Sequence, residues 1–360
     1  MSIDRGMPLS LRLIADDLTG ALDSSAPFAT ADHPVVVGLH ADDLPMAPRL
    51  AMSTESRDLS ESAAIETVAS AFGALSRQER PRALWFKKID SVLRGQPFAE
   101  ALALAKAGGF SRMVVAPAYP AMGRRTIDGR QYVDGGDGGE ARQVGPALRD
   151  GFSRLDSSLT LHASDEKPGV AAGSGLEIHM LDADTQADLD RRLQPFRAAA
   201  EKTLFVGAGG MAIALAGAPR RIAHPSPVLI VAGTRHPSTL AQLLHLRAHL
   251  PLVSPPEIVA PSLTAATPAD TQIQIVEAAA HLGEAPDAGP IMIIGGDTLS
   301  AFLRGVEARS LECLGEACAG VPISRLRGGP ADGRLLLTKS GGFGHPDLLT
   351  RIASGNPSDL

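Results

Sequence analysis

Short apolar runs that stop at polar or glycine-rich turns recur along the chain, at residues 11–17, 35–39, 50–53, 84–90 and 113–117. Runs this short and this uniformly apolar predict strands of a parallel sheet covered on both faces. Between them, residues 60–75 and 98–107 carry Ala, Leu and Glu at helix-compatible spacing. Such alternation predicts βαβ units. The pattern resumes at residues 203–206, 228–232, 291–294 and 335–338, which implies a second sheet. The expected fold is therefore α/β, with two domains of mainly parallel sheets flanked by helices and an active site in the interdomain cleft. Residues 221–227, with two prolines and a histidine ahead of an apolar run, read as the linker. This divides the chain into domains 1–224 and 225–360. Two polar stretches, 129–145 and 153–175, read as loops or short surface hairpins, the first a candidate lid.

A chain of 360 residues exceeds what one hydrophobic core usually organises, which agrees with two domains. Hydrophobic residues at 44% and charged residues at 21% place it among ordinary globular enzymes. Aromatic residues make up 4%, with Trp85 the single tryptophan, so stacking platforms for nucleic-acid bases are scarce. The net charge of -6, without a long block of Lys or Arg, argues against nucleic-acid and membrane-surface partners. Cys313 and Cys318 lie five apart without a second pair or a neighbouring His cluster, a poor match to zinc spacing. No apolar stretch approaches the roughly eighteen residues of a membrane span, and a cytoplasmic enzyme is expected. The sequence leaves a homodimer open.

In open α/β sheets, ligands bind beyond the carboxyl ends of strands, so the polar residues there are the candidates for chemistry. Asp16 and Asp17 follow the first run and precede Leu18-Thr19-Gly20-Ala21, a turn able to open a helix. A carboxylate there can orient or deprotonate a substrate hydroxyl, while Asp17 or Thr19 can equally cap the helix. Lys87 to Gly95 places Lys88, Asp90, Ser91 and Arg94 in a short compass, which suits a polyhydroxy acid. Arg94 can grip a carboxylate bidentately and Lys88 supplies a point charge. Arg57 follows another strand. Pro117 to Tyr132 reads as a rigid turn leading into a basic loop with Gly123 and Arg124, able to close over an anion.

The carboxyl-terminal third has two glycine-rich strand ends, Gly295-Gly296-Asp297-Thr298 and Lys339-Ser340-Gly341-Gly342-Phe343-Gly344. Exposed amides at such turns bind phosphate oxygens, although neither has the spacing of a Walker A loop. Gly207-Ala208-Gly209-Gly210 lacks the dinucleotide fingerprint and reads as tight strand-to-helix packing. His224 reads as a plain surface histidine. Thr234 and His236 lie at a further strand end, suited to nucleotide contact.

The order of these motifs resembles the four-carbon acid sugar kinase family. The pieces that carry the likeness are Ile14 to Ala21, Lys88 to Gly95, Pro117 to Tyr132, Gly295 to Thr298 and Lys339 to Gly344. The resemblance implies a sugar-acid-binding amino-terminal domain and a nucleotide-binding carboxyl-terminal domain. It implies that Asp16, Asp17, Arg57, Lys88, Asp90, Ser91, Arg94, Gly123 and Arg124 surround the acid, with Asp16 or Asp90 as base. ATP would lie against Thr234, His236, Gly295, Gly296, Asp297, Thr298, Gly341, Gly342, Phe343 and Gly344, with Mg2+ reached by Asp297. The implied substrate is a tetronate or 3-oxo-tetronate, or a branched or oxo relative such as 3-oxo-isoapionate. The turn Gly233-Thr234-Arg235-His236 departs from the family's usual Gly-Ser-x-Ser type, which motivates a rival reading as a sugar-acid sensor without catalysis.

Overall fold

The computed structural model describes residues 10–78, 83–135, 139–164, 175–249, 256–260, 267–282 and 289–355. Along the chain the first strands are β1 (Leu11–Ala15), β2 (Val35–Gly38), β3 (Arg49–Ser53), β4 (Leu84–Lys88) and β5 (Arg112–Ala116). Then come β6 (Arg124–Ile127), β7 (Arg130–Val133), β8 (Arg142–Val144), β9 (Thr160–His162), β10 (Glu177–Met180) and β11 (Thr203–Gly207). The remainder are β12 (Leu229–Ala232), β13 (Glu257–Val259), β14 (Ile291–Ile294), β15 (Ser310–Cys318), β16 (Val321–Arg327) and β17 (Leu335–Lys339).

The described residues group into two compact units, one drawn from Met1–Phe28 and Met46–Ala218, the other from Ala29–Pro45 and Pro219–Leu360. A single cut of the chain at 224 does not assign the excursion Ala29–Pro45 to the second unit. It belongs there because β2 pairs antiparallel with β15, Val37 opposite Leu311.

The first unit carries the strand order β3-β1-β4-β11-β5-β10-β9, all parallel. Helices α1 (Leu18–Ser25), α2 (Glu61–Ser76), α3 (Pro97–Ala107), α4 (Leu148–Leu155), α5 (Gln186–Leu193) and α6 (Gly209–Ala216) accompany it. Their starts have local causes. Asp17 caps α1, Ser60 caps α2, Pro97 opens α3, and Thr185 with Asp188 forms a capping box on α5. Leu13, Ile14, Phe86, Val114 and Phe205 are wholly buried, as strands covered on both faces require. The stretch 129–145 contributes to a small antiparallel sheet in the order β6-β7-β8, so it contains the expected hairpin. Of the stretch 153–175, α4 and β9 take the early part, and residues 165–174 lie outside the described residues.

The second unit runs β13-β12-β14-β17-β16-β15-β2. Its β13, β12, β14 and β17 are parallel, while β16 and β15 form an antiparallel hairpin against them. This sheet is therefore mixed, a departure from the expected pattern. The hairpin escapes a reading of runs because Glu312 and Glu316 in β15, and Ser324 and Arg325 in β16, interrupt its apolar residues. Helices α7 (Pro237–Ala248), α8 (Pro268–Leu282), α9 (Gly296–Gly305) and α10 (Leu348–Ser354) complete it. Its core joins Ile230, Met292, Ile294, Ile323 and Leu337 to Leu243, Leu246 and Leu349. No helix among the described residues is long and apolar enough to cross a membrane.

Candidate active site

The parallel register sets Ala15 beside both Ser53 and Lys88, so β1, β3 and β4 end together. The segments leaving these three strand ends converge. Arg57 Nε donates to Asp16 Oδ2 at 2.8 Å and its Nη1 donates to Asp17 Oδ2 at 2.8 Å. Its Nη2 lies 3.6 Å from Asp90 Oδ1. One guanidinium thus binds three carboxylates. Burial alone would lower its pKa, but Asp17, Asp16 and Asp90 together raise it.

The three carboxylates differ in what remains open to a ligand. Asp17 accepts from the backbone N–H of Gly20 at 2.9 Å and from Thr19 Oγ1 at 2.7 Å, so it is the helix cap that the sequence allowed. Burial opposes its charge, yet Arg57 and Lys88 hold its pKa below the usual value. Asp90 is gripped by Arg94 through Nε at 3.1 Å and Nη2 at 2.7 Å. It also accepts the backbone N–H groups of Val92 and Arg94. These bonds outweigh burial and push it well below the carboxylate range, which makes it a poor base. The bidentate arm of Arg94 expected for a substrate is spent on this pair. Asp16 is different. Its Oδ1 is buried and has no hydrogen-bond partner among the described residues, and burial raises its pKa against Lys88 and Arg57. A substrate hydroxyl would satisfy that oxygen and find there an acceptor for its proton.

Lys88 is 5% exposed and its Nζ donates to Ile89 O at 2.9 Å. A Cβ at residue 20 would stand 2.9 Å from that Nζ and 2.3 Å from Asp17 Oδ1, so only glycine admits the ammonium here. Further along α1, Asp23 accepts from Tyr119 Oη at 3.2 Å, and burial carries its pKa up to about 6 despite Lys88. Asp23 escaped the sequence reading. The signal was present, since Asp17, Gly20 and Asp23 recur at a spacing of three, on one helix face.

Behind these groups, the next residue inward on β4 points the other way. Lys87 Nζ meets Glu100 Oε2 at 2.7 Å, with the two side chains 0% and 1% exposed. Glu100 Oε1 accepts from Ser56 Oγ at 3.0 Å, which anchors the turn that carries Arg57. Gly123 closes the short turn Pro120–Met122 in the left-handed region, and Arg124 then donates to Met122 O. Burial lowers the Arg124 pKa, while Asp90 and Arg94 are among the charges that act on it. The amide of Gln131 donates to Ser91 O at 2.8 Å and to Pro117 O at 3.3 Å, tying the hairpin to the loop that carries Ser91. Ser91 takes part through its carbonyl.

In the second unit, β12, β14 and β17 are neighbours in parallel register, and their glycine-rich ends meet. Thr234 is the meeting point. A Cβ on Gly341 would stand 2.7 Å from Thr234 Oγ1, and one on Gly295 would stand 3.3 Å from Thr234 Cβ. Gly295 also has φ 103, which an L side chain rarely adopts. Thr298 Oγ1 accepts from the Gly233 N–H at 3.2 Å. His236 caps α7 through Nδ1, accepting from Ser238 N at 3.2 Å. Gln242 holds the last turn by donating to the carbonyls of Phe343, Gly344 and His345. The amino ends of α7 and α9 thus flank a ring of backbone, a cradle suited to phosphate oxygens. Gly296 and the exposed Asp297 begin α9. The hard carboxylate of Asp297 fits Mg2+ as a donor. Lys339 is 1% exposed, lies 4.8 Å from the Phe343 ring centroid, and is pulled by burial to about 7. A Cβ on Gly342 would meet His236 Nε2 first among the described residues, at 3.6 Å.

Cys313 and Cys318 are both buried, and burial lifts the Cys318 thiol to about 11. His224, expected on the surface, is 7% exposed with Nδ1 2.9 Å from Pro225 O.

Residues 11–154 match the model of a sugar-binding N-terminal domain, and residues 263–349 match that of a nucleotide-binding C-terminal domain. The chain is 30% identical to a D-threonate kinase of Bordetella bronchiseptica, over 95% of this chain and 96% of that protein. It is 29% identical to a D-threonate kinase of Cupriavidus necator, over 93% and 95%. Among solved structures, Haemophilus influenzae protein HI1011 superposes with a TM-score of 0.65 at 18% identity, covering 96% of this chain and 99% of that one. At that identity the likeness concerns the fold alone.

Proposed function

The chain belongs to the four-carbon acid sugar kinase family, and from that premise we propose that it transfers the γ-phosphoryl group of ATP to a hydroxyl of a threonate-type acid. The observation that carries the reading is Asp16, whose buried Oδ1 has no hydrogen-bond partner among the described residues while Arg57 holds Oδ2. In this reading the unit drawn from Met1–Phe28 and Met46–Ala218 binds the acid, and the unit drawn from Ala29–Pro45 and Pro219–Leu360 binds ATP.

Phosphoryl transfer needs positioning and charge neutralisation more than covalent help. Asp16 accepts the proton of the attacking hydroxyl, and Arg57 keeps its carboxylate aimed. Asp90 serves as the anchor of Arg94 rather than as base. Lys88 and Arg124 supply the positive field for the acid's carboxylate. The turns at Thr234, Gly295 to Thr298 and Gly341 to Gly344 cradle the phosphates through backbone N–H groups. Asp297 would hold Mg2+, which when bound neutralises charge on the phosphates.

The test is ADP release with ATP and magnesium across D- and L-threonate, erythronate, 3-oxo-tetronates and branched four- or five-carbon acids, with glycerate as control. Acid-dependent ADP formation with one of the four-carbon acids is expected. Acid binding without ADP formation anywhere in the panel would replace the kinase with the sensor.

A further inference from the structure

Beyond the acid-binding cluster, the far edge of the first unit's sheet gathers a second set of chemically capable side chains. β9 is the edge strand there, and it pairs in parallel with β10 so that His162 stands directly beside His179. The two rings stack with centroids 4.4 Å apart and planes 11° apart, close to the spacing of adjacent strands. Glu177 lies two residues before His179 and so on the same face, with Oε2 3.8 Å from His179 Nε2. One ligand atom from each of the three lies within 4.8 Å of the others.

His179 is 1% exposed, and neither of its ring nitrogens has a hydrogen-bond partner among the described residues. Phe196 closes one side, its ring centroid 4.9 Å away. Orphaned ring nitrogens against an apolar wall are costly unless something engages them. The Arg112 guanidinium, 3.8 Å from Glu177 Oε2, keeps that carboxylate in place.

We infer that His162, Glu177 and His179 form a site for a divalent transition metal of the zinc type, which fastens edge strand β9 to β10. Two imidazoles and a carboxylate make a zinc donor set, whereas Mg2+ demands oxygen ligands throughout. The site therefore distinguishes its ion from the one that accompanies ATP. Its place in the sheet makes it structural. Glu177 and His179 pair with Arg112 and Val114, ahead of the strand ends where Asp16 and Lys88 lie. β9 has three residues, and a metal bridge from His162 adds a strong link to a short ladder. Bringing the ligand atoms to about 2.0–2.2 Å from one ion requires the rings to turn out of their parallel stack.

The experiment strips the full-length protein of metal and titrates it with Zn2+, then with Co2+ to read the visible absorption of a four-coordinate site. One zinc per chain is expected, with a raised Tm and no displacement by excess Mg2+. His162→Asn and Glu177→Gln, both at half-buried positions, are each expected to weaken Zn2+ binding about tenfold or more while circular dichroism stays unchanged. His245→Asn, which alters the other stacked histidine pair, is expected to leave binding intact. Failure to bind zinc stoichiometrically, a Co2+ spectrum without four-coordinate bands, or zinc binding lost only in His245→Asn would overturn the site.

Discussion

Arg57 Nε lies 2.8 Å from Asp16 Oδ2, and the other oxygen of that carboxylate is buried with no partner among the described residues. The arginine orients Asp16 and leaves one oxygen for a ligand. Asp90, by contrast, spends both oxygens on Arg94. Asp16→Asn should therefore lower kcat by about 10²–10⁴-fold, the usual worth of a positioned base. ATP affinity should be unchanged by equilibrium binding. Full turnover in Asp16→Asn would remove it as the base.

Gly341 and Gly342 adjoin in sequence but differ in room. A Cβ on Gly341 would meet Thr234 Oγ1 at 2.7 Å, while one on Gly342 would meet nothing among the described residues closer than 3.6 Å. Gly341→Ala should raise the KM for ATP about tenfold or more, a loss on the order of 1.4 kcal/mol. Gly342→Ala should disturb ATP binding only as far as the ligand itself needs that space. Pairing Gly341→Ala with Thr234→Ala should recover much of the loss. Equal KM values for Gly341→Ala and wild type would contradict the cradle.

Lys87 and Glu100 form a wholly buried ion pair at 2.7 Å. Removing one partner strands a charge without water, so Glu100→Ala should cost about 3–5 kcal/mol of stability in urea unfolding. The double replacement Lys87→Met with Glu100→Leu should restore most of it, because neither charge then needs a partner. A double variant no more stable than Glu100→Ala would refute this account.

Asp23 carries a folded-state pKa of about 6 against an ordinary 3.8. A carboxyl raised on folding is most favourable while protonated, so its contribution is full below about pH 3.8 and is lost as pH rises through 6. Asp23→Asn removes that loss and keeps a partner for Tyr119. In urea unfolding its stability should match wild type near pH 4 and exceed it above pH 7, by on the order of 2 kcal/mol. A stability difference independent of pH would show that burial of Asp23 does not set its titration.

Much of this protein was legible in the order of its residues. The run 291–294 is β14 to the residue, and β1, β3, β4, β5, β11, β12 and β17 fall within a few positions of their apolar runs. Buried parallel strands announce themselves, since each residue must be apolar whichever way it points. The polar groups that end those runs lie beside them in sequence, so Asp16, Arg57, Lys88, Asp90 and Arg94 could be named before any fold was known.

Other relationships belong to the tertiary structure. β2 joins the second unit by pairing with β15, far along the chain, and no local pattern encodes a partner at that distance. Tyr119 reaches Asp23 across a separation of 96 residues, and Gln131 reaches Ser91 across 40. His162 and His179 become neighbours only through the register of β9 on β10. The division of labour among the three carboxylates is likewise a matter of position. All are aspartates beside cations, and only the count of hydrogen bonds on each oxygen, set by packing, leaves Asp16 with one to offer. The sequence determined which groups gather at the strand ends, because adjacency to an apolar run is local. Which of them remains unsatisfied depends on distances between distant segments, and those exist only in the fold.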